Sequence, residues 1–142
     1  MALKNFNPKD VSVIVGTQAM KGFADGTIVS VEFDEDAFSK KVGTDGETTR
    51  VKSNNNAGKV NIFLDQASES NDYLSGLAAL DRASSAGVVP VTVRDANGTT
   101  LFFIESAWVM KIPTTEFGKE ATDREWVLDC ADMNAFVGGH SS

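Results

Sequence analysis

Val60-Asn61-Ile62-Phe63-Leu64-Asp65 is the stretch that decides the fold, because large apolar residues occupy every second position in it. Successive side chains of a strand point to opposite faces of a sheet, so this spacing predicts a strand with one strongly apolar face. The same alternation recurs in residues 11–15, 29–33, 91–93 and 126–130. We therefore predict strands near residues 10–16, 18–24, 27–34, 47–52, 59–65, 90–95, 99–111 and 122–130.

Several of the predicted strands also carry apolar residues on their second face. These residues are Ile14, Ile28, Phe63, Phe102, Ile104 and Val127. A sheet that is apolar on both faces is usually covered on both, by a helix, by a second sheet or by another subunit.

Two short polar segments between apolar runs predict hairpins. Asp25-Gly26 separates Phe23 from Ile28, and residues 95–98, Asp-Ala-Asn-Gly, separate two further runs. Glycine supplies the positive φ that tight hairpin turns require.

One segment has a helical period instead. Between residues 69 and 85, the apolar residues Tyr73, Leu77 and Leu80 recur at helical spacing, and we expect them to lie against the sheet. Ser70 is the expected N-terminal cap, and Gly87 lies just past the expected end. The sequence therefore predicts one mostly antiparallel β domain over residues 1–142, with a single helix at about 70–85.

Residues 34–58, which include the strand expected at 47–52, show only weak alternation and form a long polar stretch with several turn-forming residues. A loop of this length in a compact domain is usually functional or disordered. Residues 40–59 hold five basic and two acidic side chains, whereas the rest of the chain holds eight basic and eighteen acidic ones. A basic arm on an acidic body suggests a subunit that pairs with copies of itself, but a solvated basic loop explains the asymmetry equally well.

The residues that usually carry catalysis are scarce. The single cysteine, Cys130, excludes an internal disulfide and a multi-cysteine metal site, and its alternation with Trp126 and Leu128 predicts a small buried apolar residue. The single histidine, His140, lies in a Gly-Gly-His-Ser-Ser end, a poor place for a catalytic base. Asp34-Glu35-Asp36 lacks the spacing of an EF-hand and is expected to be solvated surface. We predict no catalytic residue, no cofactor and no metal site.

Net charge and hydropathy exclude two further classes. A formal charge of −7 argues against a protein that grips the phosphates of nucleic acid. No apolar stretch approaches the roughly 20 residues that span a bilayer, and the first residues lack a signal peptide's apolar core. We expect the protein to be made in a cytosol and not to insert into a membrane.

The chain resembles, almost from end to end, the tail tube proteins of long-tailed, chiefly contractile-tailed, bacteriophages. No single segment is decisive, so the number and order of the matching segments carry the resemblance. These segments are Asn7–Val13, Gly22–Thr27, Glu35–Gly43, Asp45–Glu47, Ser70–Asp72, Glu116–Glu120 and Arg124–Trp126.

The resemblance implies a β-sandwich or barrel flanked by a helix, assembled as hexameric rings that stack into a hollow tube. The same tube fold serves type VI secretion and tailocins. It implies a protein of the virion tail, made in the host bacterial cytoplasm, whose partners are itself and sheath, baseplate and tail terminator proteins. Phage DNA would pass through the channel without specific binding.

Two sets of candidate site residues follow from that expectation. The charged residues of an inter-subunit arm are Lys40, Lys41, Asp45, Glu47, Arg50 and Lys52. The candidate acids of the channel wall, each of which alternates with core-type neighbours, are Glu32, Asp65, Glu105 and Asp129. For any one of these acids, pairing with Lys or Arg across a subunit interface is an equally good interpretation.

Two other classes of function remain as alternatives. One is a monomeric carbohydrate-binding or adaptor β-sandwich, and the other is an enzyme that uses paired carboxylates. Particle size in solution separates the tube subunit from the monomer.

Overall fold

The computed structural model describes Leu3 and residues 6–139, and strands account for most of its regular structure. One helix lies in the middle of the chain, and a short 3-10 turn at Pro8–Asp10 precedes the first strand. In chain order the elements are β1 (Val11–Val15), β2 (Gln18–Ala19), β3 (Val29–Phe33), β4 (Phe38–Val42), β5 (Thr48–Lys52), β6 (Gly58–Asp65), α1 (Ser70–Ser84), β7 (Val89–Asp95), β8 (Leu101–Lys111), β9 (Asp123–Cys130) and β10 (Met133–Phe136).

Eight of the strands form one antiparallel sheet with the order β2-β1-β7-β8-β9-β6-β3. β10 also pairs with β8, so the chain from β9 to β10 runs along one edge of that long strand. β4 and β5 pair only with each other and form a separate hairpin.

The inner face of the large sheet surrounds a single cluster of buried side chains. Strands from distant places in the sheet order contribute to it, since Val13 and Val15 of β1 join Val60 and Ile62 of β6. The sheet therefore curves around one core, and every second residue of β6, from Gly58 to Leu64, is buried. The mainly β, antiparallel fold with one helix is confirmed.

The helix completes this core with fewer residues than its spacing predicts. Leu74 is fully buried, and Tyr73 and Leu77 pack against the cluster half-buried. The prediction for Leu80 is wrong, because its side chain is 46% exposed. The apolar arc on α1 that packs against the core therefore runs from Tyr73 to Leu77 and ends before Leu80.

Both predicted helix caps are replaced by other contacts. The Ser70 hydroxyl accepts a hydrogen bond of 2.8 Å from the Lys21 backbone N–H instead of capping its own helix. At the C-terminus, Ser85 rather than a glycine adopts the left-handed conformation, with φ of 58°, and its N–H donates to the Asp81 carbonyl. Gly87 lies beyond it and donates its N–H to the Asp81 carboxylate at 3.3 Å.

One of the two predicted hairpins forms. β7 and β8 pair across residues 95–98, as predicted. At Asp25-Gly26 the prediction is wrong, because Phe23 and β3 both pair with β6 and not with each other. The segment 18–24 accordingly contains only the two-residue strand β2. A turn sequence can bend the chain without choosing its partner, and here burial of Phe23 and Val29 against the same core decides the pairing.

Two strands and one face differ from the expectation. β4 lies in residues 34–58, where only the strand at 47–52 was expected, and β10 follows the last predicted strand. Phe102 and Ile104 lie on the inner face, because they pair with the inner residues Val93 and Val91. Leu101 and Phe103 take their place on the second face.

Candidate assembly surfaces

The β4–β5 hairpin is the part of the molecule that buries least. All five residues of each strand are exposed. Lys40 pairs with Arg50 and Phe38 with Lys52, so these four side chains share one face of the hairpin. The Arg50 guanidinium lies 4.0 Å from the centre of the Phe38 ring, which is a cation–π contact on that face.

We call this side the basic face, and it consists of Phe38, Lys40, Val42, Thr48, Arg50 and Lys52. Its three cations alternate with apolar side chains, and none of them has a salt bridge within the described residues. The opposite face carries only one cation, Lys41. Asp45 and Glu47 of the predicted arm lie at the tip, where the Asp45 carboxylate accepts the Glu47 N–H at 3.1 Å and so shapes the turn.

The base of the hairpin is fixed to the body. The Asp34 N–H donates to the Ala57 carbonyl at 3.0 Å, and the Lys59 ammonium forms a 3.0 Å salt bridge with the Asp34 carboxylate. This carboxylate raises the pKa of Lys59 above its ordinary value, with smaller contributions from Asp129 and Glu32. The hairpin therefore leaves the edge of the sheet at a defined place, between β3 and β6.

Two of the four predicted channel acids lie together. On the outer face of the sheet, Glu32 of β3 pairs with Lys59 of β6, which pairs with Asp129 of β9. We call these three residues the Lys59 row. Glu32 is exposed, whereas Asp129 is half-buried.

The other two predicted acids lie elsewhere. Asp65 ends β6, where its carboxylate accepts the Ala67 N–H at 3.0 Å and so stabilises the turn that leads towards α1. Glu105 is exposed on β8, within the stretch where the register between β7 and β8 shifts. The four acids do not form one continuous surface in the subunit.

A second acidic surface lies at the other end of β9, and sequence reasoning missed it. Glu116, Asp123 and Glu125 line an open groove of about 320 Å³ together with Ile112 and Val127. We call this the acidic groove; its lining also includes Lys111, Pro113, Thr114 and Thr122. The available signal was the alternation along β9, in which Asp123 and Glu125 face away from the buried Arg124 and Trp126.

The shape of the groove depends on Arg124, a buried cation. Its guanidinium donates to the Thr122 hydroxyl at 2.6 Å, to the Gln66 side-chain oxygen at 3.3 Å and to the Glu116 carbonyl at 3.1 Å. These bonds tie the segment before β9 to the start of that strand. These acceptors are all neutral, so the charge of Arg124 stays beside the groove, whose own lining holds three carboxylates and one ammonium, that of Lys111.

The remaining outer face carries an apolar strip. Ile14, Leu101, Phe103 and Phe136 are all more than a third exposed. Phe103 and Leu101 are neighbours on the same face, and Leu101 pairs with Phe136 of β10. Exposed apolar side chains in one cluster mark a surface that contacts another protein.

Cys130 and His140 are the single cysteine and the single histidine of the chain. The Cys130 thiol is buried, as predicted, and burial raises its pKa to about 11, with a further contribution from Asp129. His140 lies outside the described residues.

Within Leu3 and residues 6–139, no group of three or more His, Cys, Asp or Glu side chains is placed to hold a metal ion. No helix in that part of the chain is long and apolar enough to cross a membrane.

The antiparallel β fold, the exposed basic face and the exposed apolar strip are typical of a protein that forms contacts with other chains. Residues 11–138 match the family of the bacteriophage PhiTE tail tube protein, so the chain belongs to this family of phage tail components. The predicted resemblance is thereby confirmed, and the protein is a structural component of a virion and not an enzyme.

Similar proteins agree with this family. The chain is 32% identical to structural protein ORF10 of Pseudomonas phage KPP10, over 95% of this chain and 83% of that protein. Two solved structures of an extracellular contractile injection system share the fold. The sheath/tube terminator has a TM-score of 0.60 at 10% identity, over 96% of this chain and 100% of the other. A chain of the sheath–tube complex has a TM-score of 0.55 at 14% identity, over 89% and 88%.

Proposed function

We propose that the subunit assembles into hexameric rings that stack to form the tail tube, through which phage DNA is ejected. The observation that carries the proposal is the β4–β5 hairpin of a tail tube protein, whose strands bury no residue in their own subunit. An isolated two-stranded hairpin is at best marginally stable in water. Contacts with neighbouring copies would supply the burial that the subunit does not.

The apolar strip supports the same proposal. Leu101, Phe103 and Phe136 are 42%, 41% and 63% exposed in the free subunit, and since full burial of such side chains is worth about 1.5–3 kcal/mol, covering the exposed part would gain roughly 0.6–2 kcal/mol each. A neighbouring subunit in the ring would cover them. Sheath, baseplate and terminator proteins are the further partners that we propose, and the fold shared with a sheath–tube complex and a terminator supports them.

The channel wall is proposed to be acidic. The Lys59 row carries two carboxylates for one ammonium, and Asp34 partly compensates that ammonium already. A surface with net negative charge repels phosphates, so DNA slides past it without being held. Asp65 and Glu105 remain candidates for the same wall, at other positions along the axis of the channel.

Imaging of the purified protein tests the proposal. Light scattering and negative-stain microscopy should detect rings or hollow tubes, and a reconstruction should place more Asp and Glu than Lys and Arg on the channel wall. Because the protein has a mass of 15.2 kDa, a particle of that size at all concentrations would contradict assembly and favour the monomeric alternative. A tube with a wall lined mainly by Lys and Arg would contradict only the acidic channel.

A further inference from the structure

The basic face of the hairpin is built as a contact surface. Lys40, Arg50 and Lys52 share it with Phe38 and Val42, whereas the opposite face carries a single cation. A hairpin that needed charge only for solubility would have no reason to place three of its four cations on one face beside its large apolar residues. A complementary surface must therefore be acidic and partly apolar.

Two acidic surfaces are available on the body. In the Lys59 row, the ammonium of Lys59 already lies between Glu32 and Asp129, so it neutralises part of the negative charge of the row. In the acidic groove, three carboxylates, those of Glu116, Asp123 and Glu125, face one ammonium, that of Lys111, and none of them forms a salt bridge within the described residues; Ile112 and Val127 add apolar walls. The groove is concave and, like the basic face, combines charged with apolar side chains. It is therefore the better complement to the basic face.

The register shows that the two surfaces lie at opposite ends of the sheet. The hairpin returns to the body at Gly58, which pairs with Cys130 at the end of β9, whereas the groove is at Asp123 and Glu125, at the start of β9. The eight residues of β9 span these ends, which is roughly 23 Å for seven steps of about 3.3 Å. The groove of the same subunit therefore lies at the far end from the hairpin.

We infer that the basic face of one subunit docks into the acidic groove of the next subunit along the tube. This inference rests on the proposed function, because it needs a second copy of the chain. A contact between two different surfaces of one molecule is heterologous, and its repetition gives an open-ended stack when the rotation between copies does not close into a ring; the position of the two surfaces at opposite ends of the sheet favours the stack. The complementary charges also fix the polarity of that stack, since like ends would bring two basic or two acidic surfaces together.

Charge reversal tests the docking. Asp123→Lys with Glu125→Lys in the groove should weaken assembly by about tenfold or more, measured as the apparent dissociation constant in sedimentation velocity. Lys40→Glu with Arg50→Glu in the hairpin should have a similar effect. All four changes in one chain should restore assembly to within about threefold of the parent, because they exchange the two charges across one contact.

Matched controls separate docking from net charge and from misfolding. Asp25→Lys with Asp132→Lys makes the same change in net charge at exposed sites outside the groove, and it should assemble like the parent. Asp123→Asn with Glu125→Gln keeps the shape of the groove and should weaken assembly less than the reversal does. Far-ultraviolet circular dichroism and Tm should show that each variant is folded.

The outcomes distinguish the inference from the function on which it rests. A parent protein that never assembles contradicts the proposed function and the docking with it. If the parent assembles but the groove variant behaves like the Asp25/Asp132 control, only the docking is wrong. Failure of the four-residue exchange to restore assembly, with all variants folded, would also overturn it.

Discussion

β6 and β5 are neighbouring strands in the chain, but their surroundings are opposite. In β6 every second residue is buried, and Ile62 and Leu64 have no exposed surface. In β5 all five residues are exposed, although Val51 alternates with two basic residues in a pattern that is also typical of a strand. Alternation therefore identifies both strands, but it does not tell which of them the subunit itself will cover.

This difference indicates that β6 stabilises the fold, whereas β5 is available for assembly. The register of β6 is fixed by its own core, because a shift of one residue would expose Val60, Ile62 and Leu64 together. The hairpin has no such constraint inside the subunit, and its side chains are available for a partner. We expect changes in the inner face to affect folding first, and changes in the hairpin to affect assembly alone.

Removal of the hairpin is the strongest way to break this comparison. Replacement of residues 38–52 by a two-glycine turn should abolish tube formation while the free energy of unfolding changes by less than about 1 kcal/mol, because nothing buried is lost. Urea unfolding and negative-stain microscopy measure the two effects. Lys41→Gln, on the opposite face of the hairpin, is the control that should assemble normally. Normal tubes from the deleted protein would contradict the role of the hairpin.

Two leucines of α1 test whether burial in the core decides the stability of the subunit. Leu74→Ala should lower the free energy of unfolding by about 2–5 kcal/mol, because it leaves a cavity in the core. Leu80→Ala should change it by less than about 0.5 kcal/mol, since that side chain is largely exposed. Both are measured by urea denaturation of the unassembled subunit. Equal losses at the two positions would show that Leu80 is covered.

The smallest expected effect concerns the buried thiol of the inner face. The pKa of Cys130 is raised to about 11 from its ordinary value of 9.0, so folding favours the protonated form. The stability that the neutral thiol contributes is complete below about pH 9 and is lost as pH rises towards 11. Between pH 8 and pH 10, Tm of the parent should therefore fall by a few degrees more than Tm of Cys130→Ala. Identical slopes would show that the thiol does not titrate in this range.

The sequence predicts the buried strands well because each carries its own signal. β6 and β9 begin and end within about one residue of the expected positions, and Cys130 is buried as its alternation indicates. Pairing is a different matter, since it joins residues far apart in the chain. Asp25-Gly26 has the chemistry of a hairpin turn, but both of its flanks pair with β6.

The candidate surfaces were predictable to the extent that they are local. The arm and its basic residues lie in one continuous stretch, so composition reveals them. The acidic groove joins Ile112 and Glu116 to Asp123 and Glu125, and the bonds of Arg124 and Thr122 to the Glu116 carbonyl, with the pairing of Lys111 and Val127, bring those two segments together. Glu32 and Asp129 meet through Lys59 for the same reason, because two strand pairings are needed to make them neighbours.

The pairing of β1 with β7 has a consequence for the order of events during biosynthesis. Val11 pairs with Asp95, so the first strand emerges from the ribosome long before its partner exists. Non-local pairing of this kind slows folding to milliseconds or seconds, whereas a hairpin such as β4–β5 closes in roughly 1–10 μs. The β4–β5 hairpin therefore closes before the sheet does, but it buries nothing that would hold it closed, so we expect closure of the sheet to precede the assembly of newly made chains.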